Sequence, residues 1–285
     1  MSMRTVDVLD SHMAYTDEGA AGPAVVLLHG NPTSSHIWRG VVPRLSGSAR
    51  VLAPDLIGMG RSGKPDIAYR FADHAEHLDA WIEALGLGEV VLVGYDWGGS
   101  LALDWAARHP GRTLGVAVME TFLRPMSWAE YPAPAVPPFR RLRTPGAGEQ
   151  MALEENWFIE SALRATNPGI ADADLDVYRE PYPTPESRRP LLRWPRELPL
   201  DGEPADVAER FTAYGEWMAA TPEVPKLLLT TGLAQSLVSA AIVAWAKEHI
   251  AGLELADIGM VGHHAPEDAP EAIGEAVAGL LGRLA

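Results

Sequence analysis

The chain has 285 residues, of which 47% are hydrophobic and 21% charged, a composition typical of a soluble globular protein. Its formal net charge of −15 argues against nucleic acid and anionic membrane surfaces as partners. The absence of cysteine excludes disulfides, thiolate catalysis and cysteine-based metal sites. The N-terminus has no continuous apolar region, and no stretch approaches the ~18 apolar residues of a membrane-spanning helix. We therefore expect a soluble, cytoplasmic protein.

Short apolar runs typical of β-strands recur along the chain. They lie at Thr5–Leu9, His12–Asp17, Ala24–Leu28, Arg50–Pro54, Val90–Gly94, Leu114–Glu120, Lys226–Thr231 and Leu253–Ile258. From the fourth run onward they alternate with helical patterns at Phe71–Leu85, Ser100–His109, Ser236–Ile250 and Glu271–Leu284. This alternation predicts an α/β fold with a mostly parallel eight-stranded sheet flanked by helices. The first two runs are separated by only a few polar residues, which predicts an antiparallel hairpin at one edge.

The alternation breaks after the sixth strand-like run, where about a hundred residues are rich first in proline and then in helix-like patches. A structureless loop of this length would be unusual inside a compact domain. We therefore predict a helical cap at residues 123–221, inserted between core segments 1–122 and 222–285 and lying over the ends of the strands. Trp157 and Phe158 are its leading candidates for lining a pocket. A separate C-terminal domain is the alternative, and it is disfavoured because strand and helix patterns resume after the insertion.

An aspartate stands between an apolar strand and a helix, in the sequence Gly94-Tyr95-Asp96-Trp97-Gly98-Gly99. This is the layout of a nucleophile elbow, in which glycines allow a strained turn that exposes the middle side chain. A carboxylate there can displace a leaving group from a saturated carbon and form an ester that water hydrolyses. Asp96 therefore favours carbon–halogen or epoxide opening over ester hydrolysis. The structural alternative is that Asp96 only caps the following helix.

Two polar residues could surround this aspartate. Asn31 follows the third strand-like run, where this layout supplies a backbone N–H to an oxyanion hole, and its amide adds neutral donors. Trp97 offers a second backbone N–H, and its indole N–H is a lone donor on an apolar ring. The bland interpretations are that Asn31-Pro32 initiates a turn and that Trp97 belongs to the core.

Hydrolysis of the ester also needs a base to activate water and an acid to orient that base. The doublet His263-His264 follows the last strand-like run, where one histidine could activate water. The acid is usually found after the strand-like run Lys226–Thr231, but the sequence there, TGLAQSLVS, has no carboxylate. Glu120 ends an apolar run instead, and an acid at that place is poorly explained as surface charge. We therefore predict that Glu120 orients the histidine.

Together these motifs resemble the haloalkane dehalogenases of the α/β-hydrolase superfamily over nearly the whole chain. The matching segments are HGNPTSSHIWR, DLIGMGRSGKPD, GYDWGG, AVMETFLRP, YREPY, RWPRELP and HHAPED. The resemblance implies that Asp96 is the nucleophile, His263 the base and Glu120 the orienting acid, as in the subgroup with an Asp-His-Glu triad. It also implies that the Asn31 amide and the Trp97 indole N–H bind the departing halide. The backbone N–H groups of the same two residues would hold the tetrahedral oxyanion.

The chain departs from the family's pattern at three places. An aromatic residue usually follows the catalytic histidine, whereas this chain has His264. The residue before the nucleophile is often histidine and here is Tyr95. The segment TGLAQSLVS is unlike the usual glycine-proline version, which would alter one wall of the access tunnel.

The resemblance implies hydrolysis of small haloalkanes to alcohol, halide and proton through an alkyl-aspartate ester, without a metal or organic cofactor. The expected partners are a small halogenated aliphatic substrate and the halide product, in a monomer or small homo-oligomer. An epoxide hydrolase is the first rival function, because it shares the aspartate elbow and uses cap tyrosines as acids. The candidates in the insertion are Tyr131, Tyr178, Tyr182 and Tyr214. A coelenterazine-type luciferase on the same scaffold is the second rival, and a non-catalytic binding module is the third.

Overall fold

The computed structural model describes residues 2–19, 22–233 and 236–284 of the chain. Within these residues the strands are β1 (Met3–Val8), β2 (Ser11–Glu18), β3 (Ala24–Leu28), β4 (Arg50–Pro54), β5 (Val90–Tyr95), β6 (Thr113–Met119), β7 (Lys226–Thr230) and β8 (Leu253–Asp257). They form one sheet in the order β1-β2-β4-β3-β5-β6-β7-β8. β1 pairs antiparallel with β2, and β2 with β4, whereas the remaining neighbours are parallel. The predicted eight-stranded, mostly parallel sheet and its edge hairpin are confirmed.

Helices cover both faces of the sheet and fill the long insertion. The α-helices are α1 (Val42–Leu45), α2 (Phe71–Ala84), α3 (Trp97–Arg108), α4 (Val136–Arg143), α5 (Ala147–Glu149), α6 (Leu163–Thr166), α7 (Asp172–Arg179), α8 (Arg189–Glu197), α9 (Ala205–Ala220), α10 (Ala240–His249), α11 (Ala265–Asp268) and α12 (Pro270–Gly282). Short 3₁₀ helices lie at Ser35–Trp38, Ala133–Ala135 and Glu186–Arg188, and π-helical turns at Gln150–Glu154 and Phe158–Ala162. In the described part of the chain, no helix is long and apolar enough to cross a membrane.

The two faces of the sheet belong to two separate hydrophobic layers. Along β3, Val26 and Leu28 pack in the layer that contains α2 and α3, whereas Val25 and Leu27 pack in the layer that contains α1 and α12. All of these side chains are fully buried. Because successive side chains of a strand point to opposite faces, a strand covered on both faces must be apolar at every position. For this reason the central strands could be predicted from continuous runs of valine and leucine.

Within the inserted segment, α4, α6 and α8 border the cavity in front of Asp96, the residue that directly follows β5. α9, also within the insertion, packs instead against α3 of the core. There Arg210 donates to Asp104 at 3.0 Å, and the Tyr214 hydroxyl donates to the carbonyl of Phe122 at 2.6 Å. The division into segments 1–122, 123–221 and 222–285 stays a prediction.

Candidate active site

The turn between β5 and α3 holds its central residue in a strained conformation. Asp96 has φ 52° and ψ −128°, a region that residues with side chains rarely adopt. A Cβ on Gly94 would lie 2.4 Å from the Cα of Gly99, and one on Gly98 would lie 2.2 Å from the carbonyl oxygen of Leu28. Both positions therefore require glycine, as the elbow pattern predicts. The hydroxyl of Thr121 donates to the carbonyl oxygen of Asp96 at 2.6 Å and stabilises the turn.

The side chain of Asp96 is buried. It makes no capping hydrogen bond to that helix, so the capping interpretation does not describe this carboxylate. Its Oδ1 accepts a hydrogen bond from the backbone N–H of Asn31 at 2.8 Å. A Cβ on Gly30 would lie 2.1 Å from the same oxygen, so only glycine leaves room for the carboxylate.

Burial is the main influence on the acidity of this group. It raises the pKa of Asp96 to about 6, because the charged form loses its water, while His263 and the backbone N–H groups of Trp97 and Asn31 pull the pKa down. The carboxylate is therefore charged above pH 6 but poorly solvated. Weak solvation keeps an anion reactive toward carbon.

His263 lies between the two acidic side chains. Its Nδ1 is 3.2 Å from Oε2 of Glu120, and its Nε2 is 3.7 Å from Oδ2 of Asp96. Burial lowers the pKa of His263, but the hydrogen bond to Glu120 and the charges of Asp96 and Glu120 outweigh it, so the pKa is raised overall. With Nδ1–H bonded to Glu120, Nε2 is the nitrogen that faces Asp96.

Glu120 follows β6 and is held by Ser236 and Leu237, in the segment that has no carboxylate of its own. The Ser236 hydroxyl donates to its Oε1, and the Leu237 N–H donates to its Oε2 at 3.3 Å. Glu120 is buried, with φ 44°. Burying a carboxylate is costly unless such hydrogen bonds replace its lost water. The role of Ser236 had no signal in the sequence beyond its position in the loop where an acid was expected.

The two adjacent histidines have different hydrogen-bond partners. His263 is the member between Asp96 and Glu120, whereas Nδ1 of His264 lies 3.0 Å from the hydroxyl oxygen of Tyr95. His264 is fully buried against that tyrosine. The two side chains therefore have different surroundings, as expected for adjacent residues that point in different directions.

Asn31 and Trp97 both border the space in front of Asp96. The Nδ2 of Asn31 donates one hydrogen bond to the carbonyl of Leu191 at 3.3 Å, which orients the amide and leaves its second N–H available. The Trp97 ring stacks on Trp194 of α8, with ring centroids 4.7 Å apart, and Trp194 stacks in turn on His74 at 4.0 Å. This aromatic stack fixes the plane of the Trp97 indole. Trp194 and His74 could not be predicted as site residues, because stacking between distant segments leaves no local pattern in the sequence.

A cavity of about 410 Å³ extends from Asp96 into the cap. Most of its lining is proline, aromatic or aliphatic. The cap contributes Tyr131, Pro132, Pro134, Ala135, Pro138, Phe139, Trp157, Phe158, Ala162, Leu163, Ala165, Thr166 and Pro195. The prediction that Trp157 and Phe158 line a pocket over Asp96 is confirmed. Within residues 2–19, 22–233 and 236–284, no group of three or more His, Asp or Glu side chains could hold a metal ion.

Comparison with known proteins identifies the family. A family model described as alpha/beta hydrolase fold matches residues 23–150. A haloalkane dehalogenase of Mesorhizobium japonicum is 46% identical over 97% of this chain and 90% of its own length. One of Bradyrhizobium diazoefficiens is 46% identical over 99% and 94%. The crystal structure of the haloalkane dehalogenase DbeA from Bradyrhizobium elkani superimposes with a TM-score of 0.95 at 44% identity, covering 99% of this chain and 98% of that one. The chain therefore belongs to the haloalkane dehalogenase family of the α/β-hydrolase fold.

Proposed function

We propose that this protein hydrolyses small haloalkanes to an alcohol, a halide ion and a proton, with Asp96 as nucleophile. The observation that carries the proposal is a buried carboxylate on a strained elbow, facing a mainly apolar cavity, with a histidine 3.7 Å away. An apolar cavity suits an uncharged alkyl chain. The relatives named haloalkane dehalogenase over nearly the full chain support the same reaction. We further infer an aliphatic substrate, a cytoplasmic location and a monomer or small homo-oligomer.

In the first step, Oδ2 of Asp96 attacks the carbon that bears the halogen. Oδ1 is occupied by the Asn31 N–H at 2.8 Å, which leaves Oδ2 as the free nucleophile. A carbon–oxygen bond forms, the carbon–halogen bond breaks, and the halide leaves with the bonding electrons. The Asn31 amide and the Trp97 indole donate hydrogen bonds to the halide. These donors stabilise charge that develops only in the transition state, so they accelerate the step.

In the second step, His263 takes a proton from a water molecule that attacks the ester carbonyl. Forming the ester removes the charge of Asp96, which is one cause of the raised pKa of His263. Its proton is then held less tightly, and the neutral imidazole can act as a base. Glu120 stabilises the imidazolium that forms, and the Asn31 N–H on Oδ1 holds the oxyanion. The tetrahedral intermediate then collapses: the bond between the acyl carbon and the alkoxy oxygen breaks, and the alkoxide leaves as the alcohol with the second proton of the attacking water. Asp96 is again a carboxylate, and the first proton passes from His263 to solvent.

The cap tyrosines argue against epoxide opening as the main reaction. The Tyr178 hydroxyl donates to Glu267 at 2.7 Å, and that of Tyr214 donates to a backbone carbonyl at 2.6 Å. Of the four cap tyrosines considered, Tyr131 lines the cavity. Burial and the charge of Asp96 raise the pKa of Tyr131 well above its ordinary value, which makes it a weaker acid. An epoxide oxygen needs a proton to leave, whereas a halide needs only hydrogen bonds.

The direct test is product formation by the wild-type protein. We expect bromide release from 1-bromobutane and 1,2-dibromoethane, measured by ion chromatography, and no comparable opening of styrene oxide. Light emission with coelenterazine serves as the second comparison, and none is expected. Ready opening of styrene oxide with inert bromoalkanes would replace this proposal with an epoxide hydrolase, and light without bromide release would replace it with a luciferase.

Replacing Trp97 with phenylalanine should slow bromide release by about two orders of magnitude. The change keeps a ring in the stack but removes the N–H donor, and one donor of this kind contributes roughly 2.7–4 kcal/mol to the transition state. Bound bromide should also quench tryptophan fluorescence less in Trp97→Phe. Trp105→Phe is the matched control, because that indole is buried on the same helix outside the cavity lining. Equal rates in Trp97→Phe and wild type would remove the indole from halide binding.

A further inference from the structure

Two of the positions at which the chain departs from its family's pattern contact each other. The hydroxyl oxygen of Tyr95 lies 3.0 Å from Nδ1 of His264, and both side chains are fully buried. On the other side of the imidazole, Nε2 of His264 lies 2.9 Å from Oγ1 of Thr166. The mechanism above uses neither Tyr95 nor His264.

The donor and acceptor in each of these hydrogen bonds can be assigned by starting from Thr166. The Thr166 hydroxyl donates to the carbonyl oxygen of Ala162 at 2.8 Å, and a carbonyl can only accept. The Thr166 oxygen therefore accepts from Nε2–H of His264. Burial and the neighbouring His263 lower the pKa of His264 well below its ordinary value, so the ring is neutral and its Nδ1 is an acceptor. The Tyr95 hydroxyl donates to that nitrogen, which gives a chain running one way from Tyr95 to Ala162.

This hydrogen-bond chain joins the three segments of the protein that meet at the site. Tyr95 immediately precedes Asp96, His264 immediately follows His263, and Thr166 ends α6 of the cap. The Tyr95 ring also packs against His263, with ring centroids 5.2 Å apart. The same side chains therefore fix the loop that carries His263 relative to both the elbow and the cap.

We propose that Tyr95 and His264 form one positioning unit for His263, which serves hydrolysis of the alkyl ester rather than its formation. The inference rests on the proposed function. During ester formation His263 transfers no proton, and Asp96 is held by Asn31 and by the elbow backbone. During hydrolysis, His263 must reach both Glu120 and a water molecule beside the ester, so the placement of its loop controls the rate.

Tyr95→Phe tests the hydrogen bond from Tyr95 to His264 separately from packing, because it keeps the ring and removes only the hydroxyl. With 1-bromobutane in rapid-quench experiments, we expect a bromide burst at the wild-type rate followed by turnover about tenfold slower, the size of effect expected when a buried acceptor loses its donor. The alkyl-enzyme should accumulate and be visible by intact-protein mass spectrometry. kcat and KM should fall together and leave kcat/KM unchanged, because kcat/KM reports the irreversible ester formation.

Three further variants, His264→Phe, the double variant Tyr95→Phe/His264→Phe and Thr166→Val, test whether the residues act as a unit. The double variant Tyr95→Phe/His264→Phe should hydrolyse the ester no more slowly than the slower single variant, because coupled residues are not additive. Thr166→Val breaks the hydrogen-bond chain at an exposed residue and should slow hydrolysis in the same sense. Thr166→Val also keeps the test valid if a buried variant fails to fold.

Tyr178→Phe is the matched control. It removes a buried tyrosine hydroxyl of the cap that donates to Glu267 of α11 and takes no part in the hydrogen-bond chain from Tyr95 to Ala162. This variant should accumulate no alkyl-enzyme. The proposal is overturned if Tyr95→Phe turns over normally, if burst and turnover slow equally, or if the losses of the two single variants add. A wild-type protein that releases no bromide at all would instead refute the proposed function itself.

Discussion

Asp96→Asn is expected to abolish bromide release and, at pH 8, to raise the free energy of unfolding. A neutral amide oxygen is too weak a nucleophile to displace a halide. Removal of a catalytic nucleophile lowers turnover by on the order of 10⁴-fold or more. The elbow backbone and the Asn31 N–H remain in place, so the substitution changes the chemistry with little change of shape.

The gain in stability follows from the pKa of Asp96, which burial raises from 3.8 to about 6. The folded state binds this proton more tightly than the unfolded state does. Stability therefore falls as the pH rises from 3.8 through about 6, and the penalty is complete above that pH. One pKa unit corresponds to about 1.4 kcal/mol, so the charged carboxylate costs up to roughly 3 kcal/mol at pH 8. Asparagine carries no charge and avoids this cost.

Urea unfolding of both proteins at pH 8 and at pH 4.5 provides the measurement. The advantage of Asp96→Asn should be about 1–3 kcal/mol at pH 8, less the value of the weakened hydrogen bond from Asn31, and smaller at pH 4.5. Asp104→Asn is the control, and it should lower the free energy of unfolding. Asp104 is a buried carboxylate that accepts hydrogen bonds from Arg108 and Arg210, which asparagine would weaken. An advantage that does not depend on pH would show that the charge of Asp96 is not the cause.

The buried strands were predictable because a strand that is covered on both faces is apolar at every position. β3 and β4 begin and end at the residues that their apolar runs indicate, Ala24–Leu28 and Arg50–Pro54. The helix after the elbow was placed too late, at Ser100 rather than Trp97, because glycine is a poor helix former. Gly98 and Gly99 are helical there because close packing, not propensity, selects them: a Cβ on Gly99 would lie 2.4 Å from Thr121.

Chain order also predicted which acids and which loop would meet. Parallel strands bring their carboxyl ends to one edge of the sheet, so residues that follow β5, β6 and β8 are neighbours there. The partners of those residues were not predictable. Ser236 bonds to Glu120 across 116 positions of sequence, and a single serine in a loop carries no sign of such a contact. The helix starting at Ser236 was also predicted too early, because Ser239 is the residue that caps α10.

His263→Phe is expected to stop the reaction after one turnover. Ester formation needs only Asp96 and the halide donors, so a bromide burst of about one equivalent should remain. Hydrolysis needs a base at Nε2, and phenylalanine supplies none. The alkyl group should therefore stay on Asp96 and be located there by peptide mass spectrometry. If His263→Phe turned over normally and His264→Phe trapped the adduct, the base would be His264.

The pH dependence of the burst separates this role from a merely structural one. In the wild type the burst should fall as the pH drops through about 6, because burial raises the pKa of Asp96 and a protonated acid cannot attack. His263 pulls that pKa down, so its removal leaves the carboxylate harder to ionise. The midpoint of the burst in His263→Phe should therefore lie above that of the wild type, whereas His249→Gln, a change at an exposed histidine on α10, should leave it unmoved. A midpoint that stays at the wild-type value would mean that the charge of His263 does not act on Asp96, since loss of packing alone would change the size of the burst and not its pH.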